Sequence, residues 1–352
     1  MTGPQQPPPP AQMRLGIWGP PGSGKTTYLA ALKLATLRSE LPGNWIMNGA
    51  DDVSTAFLEE SMRKLTEDRT FPTATEKHKH MLFRFTGEQH MVRGTLIKRD
   101  VVERNAFELD VLDAPGWLFG LQEDRPQHDA DASAMKLPDD GGLAFPDEPE
   151  SELELPDAVT NDIEELVDHL QMCQGIIYLF DPERDSREGD AFKYFHPILE
   201  KLAARIFQGG YPGTRLPQWV AVCITKFDQP NIYKLARHGG FTVQSSQPPY
   251  LPMVENWRAP HFFEWLCKDE QTNTDLVARG LRNHFDPARL GYFVTSSIGF
   301  YVTNGRFRLH DFLNVERVGS GTGSDFRIRG KVYPINVLEP LIWLHESLRA
   351  TR

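Results

Sequence analysis

Eight residues near the start of the chain have the types and spacing to hold a polyphosphate: Gly19, Pro20, Pro21, Gly22, Ser23, Gly24, Lys25 and Thr26. They fit the pattern glycine, four residues, glycine, lysine, then serine or threonine. Glycine at 19, 22 and 24 leaves no Cβ to block a close backbone approach or a positive φ. The N–H groups of such a loop turn inward as an anion nest, and a helix starting there adds partial positive charge. Lys25 brings a point charge for the terminal phosphates, Thr26 a hydroxyl for Mg²⁺, and Thr27 continues the set into the helix. A chance glycine-rich turn is the bland alternative. The flanks argue against it: Met13 to Trp18 is an apolar run suited to a buried strand, and Thr27 to Leu37 is rich in helix formers. The expected ligand is a nucleoside triphosphate.

Three further groups stand directly after apolar runs. Ala106 to Leu112 reads as a strand and leads into Asp113-Ala-Pro-Gly116, where an acidic residue is suited to Mg²⁺. Trp219 to Ile224 leads into Thr225-Lys226-Phe227-Asp228, and Gly291 to Val294 leads into Thr295-Ser296-Ser297. Turn residues are ordinary at strand ends. In an open α/β sheet, however, ligands gather at the carboxyl ends of the strands, so these groups should meet the glycine loop at one site.

The elements that must position them alternate, predicting an α/β fold with a largely parallel central sheet flanked by helices. Helices are expected over 51–65, with an apolar face of Val53, Phe57, Leu58, Met62 and Leu65, and over 192–207, 261–266, 275–284 and 334–348. A threonine-rich loop is expected over 66–80. His80 to Phe85 reads as a strand, and 94–102 as a separate hairpin strand. Residues 120–165 read as an acidic insertion, lacking Lys and Arg after Lys136 and gathering carboxylates such as Asp139, Asp140 and Glu148. Residues 301–333 read as a β-hairpin excursion with a Gly/Ser tip. The whole is read as a proline-rich disordered tail over 1–12 and a single enlarged domain over 13–352, with insertions near 40–65, 120–165, 230–290 and 301–333.

The 352 residues carry a net charge of −10, which argues against a general nucleic-acid or anionic-membrane binder. No apolar run approaches the ~20 residues needed to span a bilayer. Cys173, Cys223 and Cys267 are far apart; the first two adjoin apolar runs and read as buried thiols, consistent with a reducing cytoplasm. His78 and His80 alternate with Lys77 and Lys79, but no Cys or carboxylate lies at ligand spacing, so a solvated strand entry is the reading. Trp257, Phe262, Phe263 and Trp265 read either as a partner surface or as anchors of an insertion, with anchoring favoured.

In order along the chain, these motifs resemble those of a Ras-like P-loop GTPase of the translation-factor-related class, a prokaryotic member with large insertions. The glycine loop resembles the first G motif, the threonine loop switch I, Asp113 to Gly116 switch II, Thr225 to Asp228 the guanine-reading motif, and Thr295 to Ser297 the fifth. The resemblance implies a G domain that binds GTP and GDP with Mg²⁺ held by Thr26, Asp113 and a switch I threonine, Thr75 preferred over Thr73. It implies that Lys25, Thr75 and the Gly116 N–H serve hydrolysis. It also implies that Asp228 reads guanine, with the Lys226 stem along the base and the backbone near Ser296 and Ser297 at the guanine oxygen. Trp117 stands where many members carry Gln, which implies slow intrinsic hydrolysis and water positioning from elsewhere, Arg69 being one internal candidate. A protein effector or activating partner is implied, and a homo-oligomer is left open. The rival readings are a P-loop ATPase or small-molecule kinase, and a non-hydrolysing assembly scaffold.

Overall fold

The structure is a computed structural model, and it describes residues 13–20, 22–38, 43–72, 79–93, 99–113, 157–318 and 325–351. In chain order the elements begin with β1 (Arg14–Trp18), α1 (Lys25–Arg38), β2 (Ile46–Gly49), α2 (Asp52–Arg63), β3 (Lys79–Arg93), β4 (Arg99–Asp113) and α3 (Asp157–Gln171). They continue with β5 (Gly175–Phe180), α4 (Pro182–Glu188), α5 (Ala191–Gln208), β6 (Trp219–Ile224), α6 (Pro230–His238), β7 (Thr242–Gln244) and β8 (Pro252–Val254). The chain closes with α7 (Ala259–Leu266), α8 (Thr274–His284), β9 (Leu290–Val294), β10 (Val302–Thr303), β11 (Arg306–Phe307), β12 (Val315–Val318), β13 (Asp325–Ile328) and α9 (Glu339–Ala350).

Seven strands form one sheet in the order β2-β3-β4-β1-β5-β6-β9. β4, β1, β5, β6 and β9 pair in parallel, whereas β3 is antiparallel to both its neighbours. Only β3 therefore runs against the rest. β5 lies inside the sheet between β1 and β6 and is buried along its whole length, as an apolar run covered on both faces must be. Its side chains alternate: Ile176, Tyr178 and Phe180 join a core with α3, α5, α6, α7 and α8, while Ile177 and Leu179 join one with α1, α2 and α9.

Several expectations change. The strands at His80 and Ala106 are the inner ends of two 15-residue strands paired from Lys79↔Asp113 out to Arg93↔Arg99, so 99–102 belongs to β4; residues 94–98 of the expected separate strand lie outside those described. On α2, Val53 is 54% exposed and the buried stripe is Ser54, Leu58 and Ser61, continued by Leu65 in a wide helical turn over Lys64–Asp68. Leu58 and Leu65 are buried and Phe57 and Met62 pack against the core, as the apolar spacing predicts; Ser54 and Ser61 join that face, and only Val53 falls outside it. α3 begins inside the span read as an acidic insertion; residues 120–156 lie outside those described. The excursion over 301–333 holds two hairpins, β10–β11 and β12–β13. Phe262 and Phe263 are buried while Trp257 and Trp265 are exposed, so the aromatic group divides between anchor and surface. Cys173 and Cys223 are buried.

Candidate functional site

The glycine loop joins β1 to α1 at the carboxyl edge of the sheet. A Cβ on Gly19 would come within 2.8 Å of the Leu179 carbonyl oxygen on β5, a backbone atom that cannot swing away. Gly24 has a φ of +90°, a region costly for any residue with a Cβ. The Ser23 N–H donates to the Pro20 carbonyl (3.2 Å), and the Tyr28 N–H donates to Gly24 (2.7 Å) to open α1. Lys25 Nζ donates to the Gly19 and Pro20 carbonyls (3.0 and 3.3 Å), which holds the ammonium across the loop. The Ser23 hydroxyl is buried and, among the described residues, has no hydrogen-bond partner. Pro21 lies outside the described residues.

The exits of β5, β6 and β9 are knitted together. Thr225 donates to the Phe180 carbonyl through both its N–H (2.8 Å) and its hydroxyl (2.9 Å). Lys226 has a φ of +57°, and its ammonium lies 2.5 Å from Asp181 Oδ2 at the tip of β5. The Phe227 N–H donates to the Thr295 carbonyl (3.1 Å). Asp228 is buried and accepts a 2.5 Å hydrogen bond from the Ser296 hydroxyl, whose oxygen in turn accepts from the Gly299 N–H (2.8 Å). Burial pushes the Asp228 carboxyl up to about 6, with the Ser296 hydrogen bond opposing it.

These loops enclose a cavity of about 620 Å³. Gly22, Ser23, Gly24 and Thr27 line it from the glycine loop, and Thr225, Lys226, Asp228 and Ser297 from the β6 and β9 exits. Three sequence-predicted groups therefore face one space, as the strand-end rule requires. Gly19, Pro20, Lys25, Thr26 and Ser296 are not part of its lining. Asp113 is the last residue of β4, on the far side of β1 from the other exits. Thr73, Thr75, Gly116 and Trp117 fall outside the described residues.

Sequence reasoning missed part of the wall. Phe71, Val315, Arg317 and Phe326 line the same cavity, so the β12–β13 hairpin is a component of the site and not an excursion from it. The hairpin is sewn to the segment after α2: Thr70 bridges Arg327, and the Ile328 N–H donates to the Arg69 carbonyl (2.8 Å). A small core of Ala30, Leu34, Leu65, Ile298, Ile328 and Val332, with Phe71 and Val315 against it, fixes both to α1. Arg69 itself has a φ of +57° and donates to the Arg329 carbonyl (3.2 Å) on the β13 side. α4 supplies Glu183 and Arg187 to the cavity, and Arg184 stands beside Gly22, held by a two-pronged contact with Asp190. The signal for α4 lay in Asp181-Pro182, a capping residue and a first-turn proline, where Asp181 accepts from the Arg184 N–H (3.1 Å).

His80 is exposed at the start of β3, as a solvated strand entry predicts, and its Nε2 lies 2.7 Å from Asp110 Oδ1, a carboxylate brought by the neighbouring strand rather than by sequence spacing.

No protein-family model matches the sequence, and no curated protein does. Among solved structures, the chain is similar to one in the signal recognition particle receptor SRb-GTP/SRX complex from Chaetomium thermophilum. That match has 11% identity, covers 84% of this chain and 94% of the other, and has a TM-score of 0.33. It is also similar to the S. cerevisiae Ski7 GTPase-like domain bound to GTP, at 10% identity over 81% of this chain and 43% of that one, with a TM-score of 0.32. Likeness at this level adds nothing to what the chain's own geometry carries. That geometry is a mixed α/β fold whose seven-stranded, mostly parallel sheet gathers a glycine loop and two strand-exit loops around one cavity.

Proposed function

We propose that the chain is a GTP-binding switch that hydrolyses GTP slowly with Mg²⁺ and reports its state to a protein partner. One observation carries the reading: a buried carboxylate, Asp228, and the glycine loop line the same cavity. The distance-limited approach at Gly19 and the Ser23 hydroxyl, buried without a partner among the described residues, suit a loop wrapped on phosphate. Asp228 suits guanine, whose N1–H and exocyclic amine both donate, whereas adenine presents no such pair. The Ser296 hydroxyl and the Gly299 N–H orient that carboxylate before any base arrives. Lys226, tied to Asp181, offers its stem as one wall for the base.

For hydrolysis the chain's own contribution is positioning and charge. Lys25 would leave its loop carbonyls for phosphate oxygens, and Arg184 stands near enough to Gly22 to add positive charge. Bound Mg²⁺ supplies charge neutralisation at the terminal phosphates, with Thr26, Asp113 and Thr75 the residues that would hold it. Trp117 in place of a water-orienting Gln supports a low intrinsic rate, to be raised by a partner.

Calorimetry of GTP, GDP and ATP with Mg²⁺, on the wild type and Asp228→Asn, tests the proposal. Tight guanine-nucleotide binding that the substitution abolishes is the expected result. ATP binding as tight as GTP binding, and indifferent to the substitution, would overturn it in favour of an ATPase or kinase.

A further inference from the structure

On the α3 side of the sheet, Asp110 of β4 sits between two histidines from different elements. His80 comes from the start of β3, and His169 from the last turn of α3. One ligand atom from each of the three residues can be chosen so that all lie within 4.8 Å of one another. Asp110 is buried, and the Arg14 guanidinium nitrogen 3.2 Å away engages only its Oδ2. Oδ1 accepts no hydrogen bond among the described residues, although His80 Nε2 is 2.7 Å from it. His169 Nε2 lies 3.0 Å from the Asp110 backbone carbonyl, so that nitrogen donates and Nδ1 carries the lone pair. That lone pair is 3.9 Å from Oδ1, so two electron donors are turned toward the same small space.

We propose that His80, Asp110 and His169 bind a divalent transition-metal ion of the zinc type, with the fourth position left to water. Two imidazoles and one carboxylate are the donor set of a zinc site that keeps an open position, and imidazole is a poor ligand for Mg²⁺ or Ca²⁺. The backbone acceptor that fixes His169 is the outer-shell support such ligands use. Bonds of about 2 Å to a tetrahedral zinc separate the ligand atoms by roughly 3.3 Å. The 3.9 Å pair thus needs a small closure, the 2.7 Å pair a small opening, and the widest separation, up to 4.8 Å, a closure of about 1.5 Å. His80, with 61% of its side chain exposed, can supply that opening and gives the ion an entry route. Arg14 opposes the ion's charge, but it is itself 43% exposed and screened by water.

The position matters because of what it joins. His80 is the second residue of β3, which leaves the threonine loop, and Asp110 precedes Asp113 by three residues on β4. An ion here would clamp β3, β4 and α3 together at the root of both segments. The site does not depend on the nucleotide reading and stands or falls separately from it.

Metal-stripped, tag-free full-length protein titrated with Co²⁺ in excess Mg²⁺, followed by its visible absorption and by displacement with Zn²⁺, provides the test. One equivalent of tetrahedral Co²⁺ should bind, with affinity falling about 100-fold or more in His80→Ala and in His169→Gln. Zn²⁺ should raise the melting temperature of the wild type and leave that of His80→Ala unmoved; the exposed His80 can be removed without disturbing the core. Absence of Co²⁺ bands, or binding that survives His80→Ala, would overturn the proposal. So would binding lost only in Cys173→Ser, because that would move the site to the thiol beside His169.

Discussion

Asp228 shows how a single residue can be costly to the fold and still stand where the proposed guanine contact needs it. Its carboxyl is raised by burial from an ordinary value of 3.8 to about 6. A raised acid favours the folded state fully below its ordinary value and loses that contribution as pH rises through the folded one. At pH 7 to 8, Asp228→Asn should therefore stabilise the nucleotide-free protein, on the order of 2 kcal/mol by thermal or denaturant unfolding, and the gain should fade by pH 4. The same ionisation should make GTP affinity fall as pH drops through about 6, because a protonated carboxyl accepts poorly from guanine. A neutral or destabilising substitution at pH 8 would contradict the buried-charge account. This residue was legible from the sequence by its place after an apolar strand. Its supports were less so: Asp181, which meets Lys226, is 45 positions away and becomes a neighbour only because β5 and β6 pair. The carboxylate beside the exposed His80 is hidden from the sequence for the same reason, since strand pairing places it.

At the scale of elements, the β12–β13 hairpin has the largest unforeseen part. Turn residues and alternation announced a hairpin, but nothing local announced that it would be bonded to Arg69 and Thr70, some 260 residues earlier in the chain. Replacing 315–328 by a short Gly-Ser link removes Val315, Arg317 and Phe326 from the cavity wall and uncovers Leu34 and Leu65. Release of a fluorescent guanine nucleotide should then quicken about tenfold or more, while binding remains selective for guanine because Asp228 and Ser296 are untouched. An unchanged release rate in stopped-flow would show that the hairpin covers the cavity without retaining its contents.

Across the whole molecule, pairing is uneven. β5 and β6 each have neighbours on both sides and bury both faces. The outer part of the β3–β4 ribbon is different: β2 reaches only Phe83 to Thr86, and β1 reaches only Glu108 and Leu109. Among the described residues, strand pairing from Gly87 to Arg93 and from Arg99 to Phe107 is between these two strands alone, apart from the Glu88 N–H donating to the Gly43 carbonyl (2.6 Å), and an isolated two-stranded ladder has little independent stability. Native-state hydrogen exchange should be slowest in β5 and β6 and faster in the outer ribbon by about 100-fold or more. Equal protection would mean that the ribbon is covered by something its pairing does not reveal. The parallel α/β arrangement was readable because buried strands and amphipathic helices alternate along the chain. The reach of the ribbon was not, because alternating polar residues carry no mark of where a third strand stops.

The seam between Arg69 and Ile328 has a mechanical reading. The segment it holds precedes Thr73 and Thr75 in the chain, while the far end of the hairpin ladder is the pair Val318 and Asp325. A tug at that pair passes along β13 and through the Thr70–Arg327 bridge and the Ile328 N–H to the segment after α2. Whatever grips the far end of the hairpin, whether a binding protein, an engineered tag or an antibody fragment, holds a lever on the cavity wall without having to reach inside it.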